Sequence, residues 1–234
     1  MELFDVRYFY ECFPQIVTSL PVTLFVAIVS FLIGVLLGLI TAIIKIYKIP
    51  VLKQIAGVYI SAIRGTPLLV QLYIVCYGIP KIIYFCQIEY GSFQSIDINV
   101  IPKMFYALFA FSVNIGAYLA EAIRSSIEAI DKGQYESAYS LGMTRFQTMT
   151  RIIIPQAFTI AIPNLGNNLI STVKDTSFIF MIGIVDVMGK AKIIGARSLS
   201  YFEVYIAVAL LYWCICFLLE RVLAVVEKRS KRYV

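Results

Sequence analysis

Ionisable groups stand inside stretches that are otherwise apolar, among them Arg64, followed by Gly65 and Pro67, and the adjacent pair Lys174–Asp175. Charges at membrane depth are costly, so they line a path or pair internally. Sequence neighbours on a helix point about 100° apart, which makes Lys174 and Asp175 poor partners for each other. One of them facing a central pathway and the other a neighbouring helix fits this geometry. The chemistry on offer is recognition of a charged or polar solute, with Asp175 able to meet a cationic group and Ser112, Asn114 and Thr176 as polar company. Arg64 is placed to attract a carboxylate or to gate the inner mouth. Two plainer accounts stand beside these: a structural ion pair for Asp175, and a snorkelling interfacial arginine for Arg64.

Catalysis is a poor alternative. The chain contains no histidine, which removes His-based acid–base chemistry, His-containing triads and His-ligated metals. An intramembrane enzyme would also lack a nucleophile–base set. The five cysteines (Cys12, Cys76, Cys86, Cys214, Cys216) include no C-x-x-C pair, and a Cys76–Cys86 bridge across an outer loop is one arrangement the spacing leaves open. Gly183 to Lys190 reads glycine, five residues, Gly-Lys, followed by Ala191. A phosphate loop needs four residues there and a Ser or Thr after the lysine. Gly183 and Gly189 are therefore loop glycines, and the chain has no ATP site of its own.

The elements that must position these groups follow from composition. Of 234 residues, 60% are hydrophobic and 15% charged, with a mean hydropathy of +0.85. A soluble domain carries about 25% charged residues, so this composition excludes a soluble enzyme, a disordered chain and a secreted disulfide scaffold. It predicts an all-α integral membrane protein. Ile16–Ile44 holds 29 residues without a charge, more than the ~20 a crossing needs. Its acidic N-terminal flank (Glu2, Asp5, Glu11) argues against a cleavable signal peptide. Five spans are expected, at about 16–44, 55–79, 104–123, 157–184 and 203–226, in one transmembrane domain over 1–234. Gly34 and Gly38 form G-x-x-x-G in the first, either an internal seam or a dimer face.

Eleven of the basic residues, from Lys45, Lys48 and Lys53 through the 124–151 connector to the tail, fall on one side of these spans, and six on the other. The positive-inside bias puts the N-terminus outside and the C-terminus in the cytoplasm. The net charge of +6 thus records orientation against anionic lipid, with no nucleic-acid partner. The outer cluster Lys190, Lys192 and Arg197 fits this topology least well.

The connector after the third span, 125–156, is the most informative segment. Asp131 with Gln134 has capping-box spacing, a helix over about 132–141 ends at Gly142, and Thr144 with Gln147 repeats the signal before a second helix that runs toward Pro155. Glu136-Ser137-Ala138, three residues, Gly142, nine residues, then Ile152-Ile153-Ile154-Pro155 resembles the EAA loop of ATP-binding-cassette (ABC) importer permeases. Ser137 stands for an alanine and Ile154 for a leucine. Arg64-Gly65-Thr66-Pro67-Leu68-Leu69-Val70-Gln71 is similar to the R-G-T-P-L-L-V-Q segment of the polar amino-acid permeases, the histidine, glutamine, arginine and cystine group. Gly116–Arg124 resembles that group's A-Y-x-A-E-x-x-R stretch, with Ser125-Ser126 where Gly-Gly is usual. Lys132-Gly133-Gln134 and Lys174-Asp175-Thr176-Ser177 also fit.

This resemblance implies a permease subunit of an amino-acid importer in the cell membrane, plasma or inner, of a prokaryote. It implies a separate cytoplasmic ATPase in two copies that carries ATP and Mg, no cofactor on this chain, a second permease subunit of the same or a paralogous kind, and an extracellular binding protein that does most of the selecting. Glu136 would anchor the ATPase, with Ser137, Ala138, Gly142 and Pro155 shaping the docking loop. Polar amino acids, cystine among them, are the implied substrates. The alternative is an ion-gradient-driven secondary transporter, which needs its own coupling-ion site at paired broken helices; the sequence has no inverted repeat.

Overall fold

The computed structural model describes residues 4–95 and 97–230, and these form helices with no strand among them. Ten α-helices follow in order: α1 Val6–Val17, α2 Leu20–Ile46, α3 Leu52–Arg64, α4 Leu68–Tyr90, α5 Lys103–Glu128, α6 Lys132–Ser140, α7 Arg145–Thr148, α8 Ile154–Asp175, α9 Val187–Ser198 and α10 Tyr201–Ser230. A π turn, Met149–Ile153, leads into α8, and a 3-10 helix, Thr176–Ile182, leads out of it. Among the described residues, four helices are long and apolar enough to cross a membrane: α2, α4, α5 and α10.

Local chemistry moves several expected boundaries. The first apolar run does not begin a helix at Ile16. Asp5 caps α1 by accepting from Tyr8 N at 2.9 Å, and that amphipathic helix runs through Ile16 before the chain restarts at Leu20. Pro21 then lies in the first turn of α2, where the missing N–H would have had no helical partner. The expected span over 55–79 is two helices, parted at Gly65-Thr66-Pro67, and α4 continues through Pro80 to Tyr90. Pro155 does not stop a helix; it sits in the first turn of α8, fed directly by the π turn. Asp186 accepts from Gly189 N at 2.8 Å and opens α9, so Gly189 lies in a helix, while Gly183 closes the 3-10 helix. Cys76 and Cys86 are free thiols on the same helix; ten residues put them about 15 Å apart along its axis, far beyond disulfide reach.

The bundle is organised on a seam between α2 and α5. A Cβ at Gly34 would lie 2.7 Å from Ile115 Cγ2, and one at Gly38 would lie 3.0 Å from the backbone nitrogen of Ala120. Both numbers rise together along the chain, so the two helices run parallel. From the other side, a Cβ at Gly116 would lie 2.9 Å from Leu37 Cβ and 2.9 Å from the Tyr59 hydroxyl. That hydroxyl donates to Val113 O at 2.6 Å and brings α3 onto the same place. The G-x-x-x-G of α2 is therefore an internal seam of the chain: backbones approach because no side chain separates them. Around it pack Val26, Leu72, Ala107, Phe111, Leu119 and Ile179. At one end of the seam Lys45 of α2 meets Glu121 of α5 at 3.4 Å, and Arg124 bridges Glu121 and Glu128.

A second core joins α1, α9 and α10 through Cys12, Ile16, Val187, Ala191, Val204 and Ala207. It is pinned by Asp5 N donating to the buried Glu203 carboxylate at 3.0 Å. The two cores meet where Val187 N donates to Thr23 Oγ1 at 3.2 Å.

Because Leu119 and the backbone of Ala120 already fill the space beside Gly38, Gly38→Val is expected to cost about 1–3 kcal/mol through overpacking. This would appear as a lower thermal midpoint of the detergent-solubilised protein. Gly57→Ala, where a Cβ would meet nothing within 4 Å, should not lower it.

Candidate functional site

The break between α3 and α4 builds one wall of the site. In a continuous helix the carbonyl of Ile63 would accept from residue 67, but that residue is Pro67 and has no N–H. The Gln71 side chain supplies the donor instead: its Nε2 reaches Ile63 O at 2.8 Å, Thr66 O at 3.0 Å and Thr66 Oγ1 at 2.9 Å. Thr66 Oγ1 in turn donates to Ala62 O at 2.8 Å. Gln71 Oε1 accepts from Asn114 Nδ2 of α5 at 2.9 Å. Both amide side chains are buried, with 7% and 9% of their surface exposed, so the pair ties the broken helix to the seam helix in an apolar surrounding.

Beside this knot lies a half-open cavity of about 460 Å³, within the ~300–1,000 Å³ usual for small-molecule sites. Thr66, Pro67 and Leu68 of the break form one wall, and Phe111, Asn114, Ile115 and Tyr118 of α5 a second. Asn167, Asn168, Ser171, Thr172 and Asp175 of α8 form the third. The Asp175 carboxylate is the single formal charge in this lining. The Arg64 guanidinium lies 5.4 Å from the centroid of the Tyr118 ring, one aromatic layer away from the lining. Another cleft of about 420 Å³, between α2, α5 and α8, is walled by residues such as Leu39, Ile43, Ile127, Phe146 and Phe158 and offers a zwitterion almost nothing to bind.

Of the residues singled out from sequence, Asp175 and Asn114 share the cavity, and Arg64 approaches it through Tyr118. Thr176 is turned inward and donates to Val173 O at 2.7 Å. Ser112 is buried on α5 outside the lining, and Lys174 is exposed on the outside of α8. Sequence reasoning missed Gln71 as a structural residue and overlooked Asn167, Asn168 and Ser171. Their signal was present: Asn164, Asn167, Asn168, Ser171 and Asp175 recur every three or four residues, one face of a helix. The same polar stripe keeps α8 out of the set of apolar crossing helices.

The 125–156 connector forms a compact hairpin on the end of the bundle. Asp131 accepts from Gly133 N at 2.6 Å, but Gln134 does not complete a capping box; its Oε1 accepts from Gln156 of α8 at 3.2 Å and ties the loop to that helix. Thr144 and Gln147 do form a reciprocal box. Gly142 joins the two helices at φ +77°, a left-handed conformation that costs a residue with a Cβ roughly 1–2 kcal/mol. Ala138, Thr148 and Ile153 are buried against the bundle, and burial among these elements pushes the Tyr135 phenol up from its ordinary value. Glu136 and Ser137 face outward, beside the exposed Tyr139, Leu141 and Phe146. Pro155 is exposed in the first turn of α8.

Apolar helices that enclose a polar cavity at a broken helix are the architecture of a membrane protein with a pathway. Residues 34–232 match the family described as binding-protein-dependent transport system inner membrane component, and the chain belongs to that family. It is 40% identical over 229 residues to the L-cystine transport system permease protein TcyL of Bacillus subtilis (strain 168), covering 98% of this chain and 92% of that protein. It is 34% identical over 226 residues to a putative glutamine transport system permease protein, GlnP, of Rickettsia typhi, covering 95% and 97%. A solved structure described as an amino acid ABC transporter with histidines superposes with a TM-score of 0.83 at 35% identity, over 97% of this chain and 100% of that one. The methionine ABC transporter MetNI, at 16% identity and a TM-score of 0.65, shares the fold.

Thr144→Ala removes one half of the reciprocal cap and is expected to destabilise this turn by about 1 kcal/mol. Hydrogen exchange of the amides of residues 145–148 should then speed up about fivefold, with amides of α5 unchanged.

Proposed function

We propose that this chain is the transmembrane permease subunit of an ABC importer for polar amino acids, with cystine and glutamine the candidates its relatives suggest. The observation that carries this reading is the convergence of Asp175, Asn114 and the Arg64–Tyr118 pair on one cavity walled by a broken helix. Asp175 would hold the α-ammonium group, the amides of α8 would take the polar side chain, and Arg64 would attract the carboxylate at the rim. Lys174 belongs to the exposed polar face of α8 rather than to the lining, and Ser112 and Thr176 support the lining from behind.

In this reading the whole of 1–234 is one permease domain that crosses the membrane five times, by α2, α4, α5, α8 with its 3-10 extension, and α10. The N-terminus lies outside and the C-terminus in the cytoplasm. The parallel direction of α2 and α5 supports the alternation, since the first and third spans of an alternating chain must run the same way, and the distribution of basic residues supports the orientation. A second permease subunit would cover the polar stripe of α8, which is unsuited to lipid. Two ATPase subunits, carrying ATP and Mg, would receive the 125–156 hairpin, with the Glu136 carboxylate and the exposed Leu141 and Phe146 as contact points and Gly142 as the turn that presents both helices. An extracellular binding protein would deliver the substrate.

Two experiments test this. Reconstituted with the ATPase and binding protein, Asp175→Asn is expected to reduce ATP-driven amino-acid uptake at least about tenfold, the scale of a lost hydrogen bond to a charged group, with ATPase co-purification intact. Unchanged uptake would remove Asp175 from the pathway. Glu136→Ala combined with Gly142→Val should abolish co-purification of the ATPase while leaving the permease folded. Uptake driven by an ion gradient without ATP would overturn the importer assignment altogether.

A further inference from the structure

We propose that Gln71 is a positioning residue that fixes the Asn114 side-chain amide so that its carbonyl oxygen, rather than its N–H edge, is presented to the cavity, and that this wall thereby selects for an amine. The inference rests on the importer reading and deepens it by naming what part of the substrate α5 recognises.

The argument runs through two forced assignments. Backbone carbonyls only accept, so the groups at Ile63 O and Thr66 O can be served only by the NH₂ of the Gln71 side chain, at 2.8 and 3.0 Å. Turning that amide over would set Gln71 Oε1 against two carbonyl oxygens at 2.8 and 3.0 Å, a repulsive arrangement. Gln71 Oε1 therefore has to face Asn114. An oxygen there requires a donor, so Asn114 must direct Nδ2 toward it, as the 2.9 Å contact records. The usual ambiguity of an asparagine amide is thus removed by a proline four residues before Gln71. Asn114 Oδ1 is left on the edge turned away from Gln71, and Asn114 lines the cavity.

The consequence is a matter of sign. The Asp175 carboxylate on α8 accepts hydrogen bonds, and so does the amide edge that Asn114 offers from α5. Two acceptors in the lining of one cavity suit an ammonium group, which has three donors and no acceptor, and repel a carboxylate. Ser112 and Thr176 do not enter this arrangement. Gln71 touches no substrate; it acts by holding Asn114 in one of its two amide orientations.

The test compares two substitutions at one position. Gln71→Glu keeps an acceptor for Asn114 whether or not the carboxyl is protonated, and Gln71→Leu removes it; both disturb the staple across the break. Binding of radiolabelled L-cystine to the permease–ATPase complex in nanodiscs is measured by scintillation proximity, with unlabelled L-cystine and 3,3′-dithiodipropionic acid, its analogue without amino groups, as competitors. The wild-type complex is expected to prefer L-cystine about tenfold or more, the scale of a hydrogen bond to a charged group. Gln71→Glu should keep that preference while binding both compounds more weakly, and Gln71→Leu should bring it close to parity. Asn114→Leu, which leaves the break and its staple in place, should lose the preference as Gln71→Leu does and guards against a folding defect in the latter. If the two substitutions at Gln71 shift the preference equally, Gln71 is structural only and the assignment falls. Wild-type binding of L-cystine with no amine preference overturns the assignment and leaves the importer reading standing. Absence of both cystine and glutamine binding, together with absence of ATP-driven uptake, overturns both.

Discussion

A helical carbonyl that loses its N–H donor needs another, and the structure around the site is arranged by that constraint. The proline at position 67 ends α3 and takes away the donor that the Ile63 carbonyl would have had. In water the loss would be repaired by solvent; here a side chain that is itself buried repairs it. Gln71, one turn into α4, turns back across the break and does so. Because its amide carries an acceptor as well as donors, the repair does not end there. It recruits Asn114 from α5, and through Asn114 the break is joined to the helix at the centre of the bundle.

That helix is central because of what it lacks. Gly34, Gly38 and Gly116 let α2 and α5 approach until side-chain carbons of one lie against the backbone of the other. Without a hydrophobic driving force between helices in lipid, such close packing is a main source of association. The seam holds α5 still, so the cavity-facing residues Phe111, Asn114 and Tyr118 have a rigid support, while the wall opposite is built from a broken helix and from α8. The ion cluster of Lys45, Glu121, Arg124 and Glu128 closes the same seam at the end nearer the 125–156 hairpin. The hairpin and the cavity are thus ends of common elements: α8 begins at the π turn of the hairpin and finishes at Asp175.

Much of this was legible in the residues themselves. The EAA-like pattern marked two short helices meeting at Gly142, and the structure joins them there in a left-handed conformation. The Thr144–Gln147 cap was read from spacing and is formed. The G-x-x-x-G of α2 was read as a close-packing motif, with its partner left open. Less legible were the amphipathic helices α1 and α9, whose short apolar faces blend into the neighbouring apolar runs. The Asp131–Gln134 spacing misled, because Gln156 from a distant helix competes for Gln134 and no local rule records that competitor. The polar stripe on α8 was readable at helical spacing, yet it was hidden by counting the segment as one apolar run.

Composition alone determined the solvent of this protein and its all-helical class, because so little charge cannot cover a globule in water and every backbone group of a spanning segment must pair within its own helix. Local motifs determined where the chain must bend and which loop projects from the bundle, because proline, glycine and capping residues act through their own dihedrals and hydrogen bonds. Only the tertiary structure decided which polar residues face one another. Asp175, Asn114 and Gln71 are separated by tens of residues in the chain, and the sequence alone did not say which of Lys174 and Asp175 faces the cavity or that Thr176 turns away from it. The reason is geometric: helical rotation sends neighbours to different faces, whereas the packing of α5 against α2 and of α8 against α5 brings distant residues onto the same one.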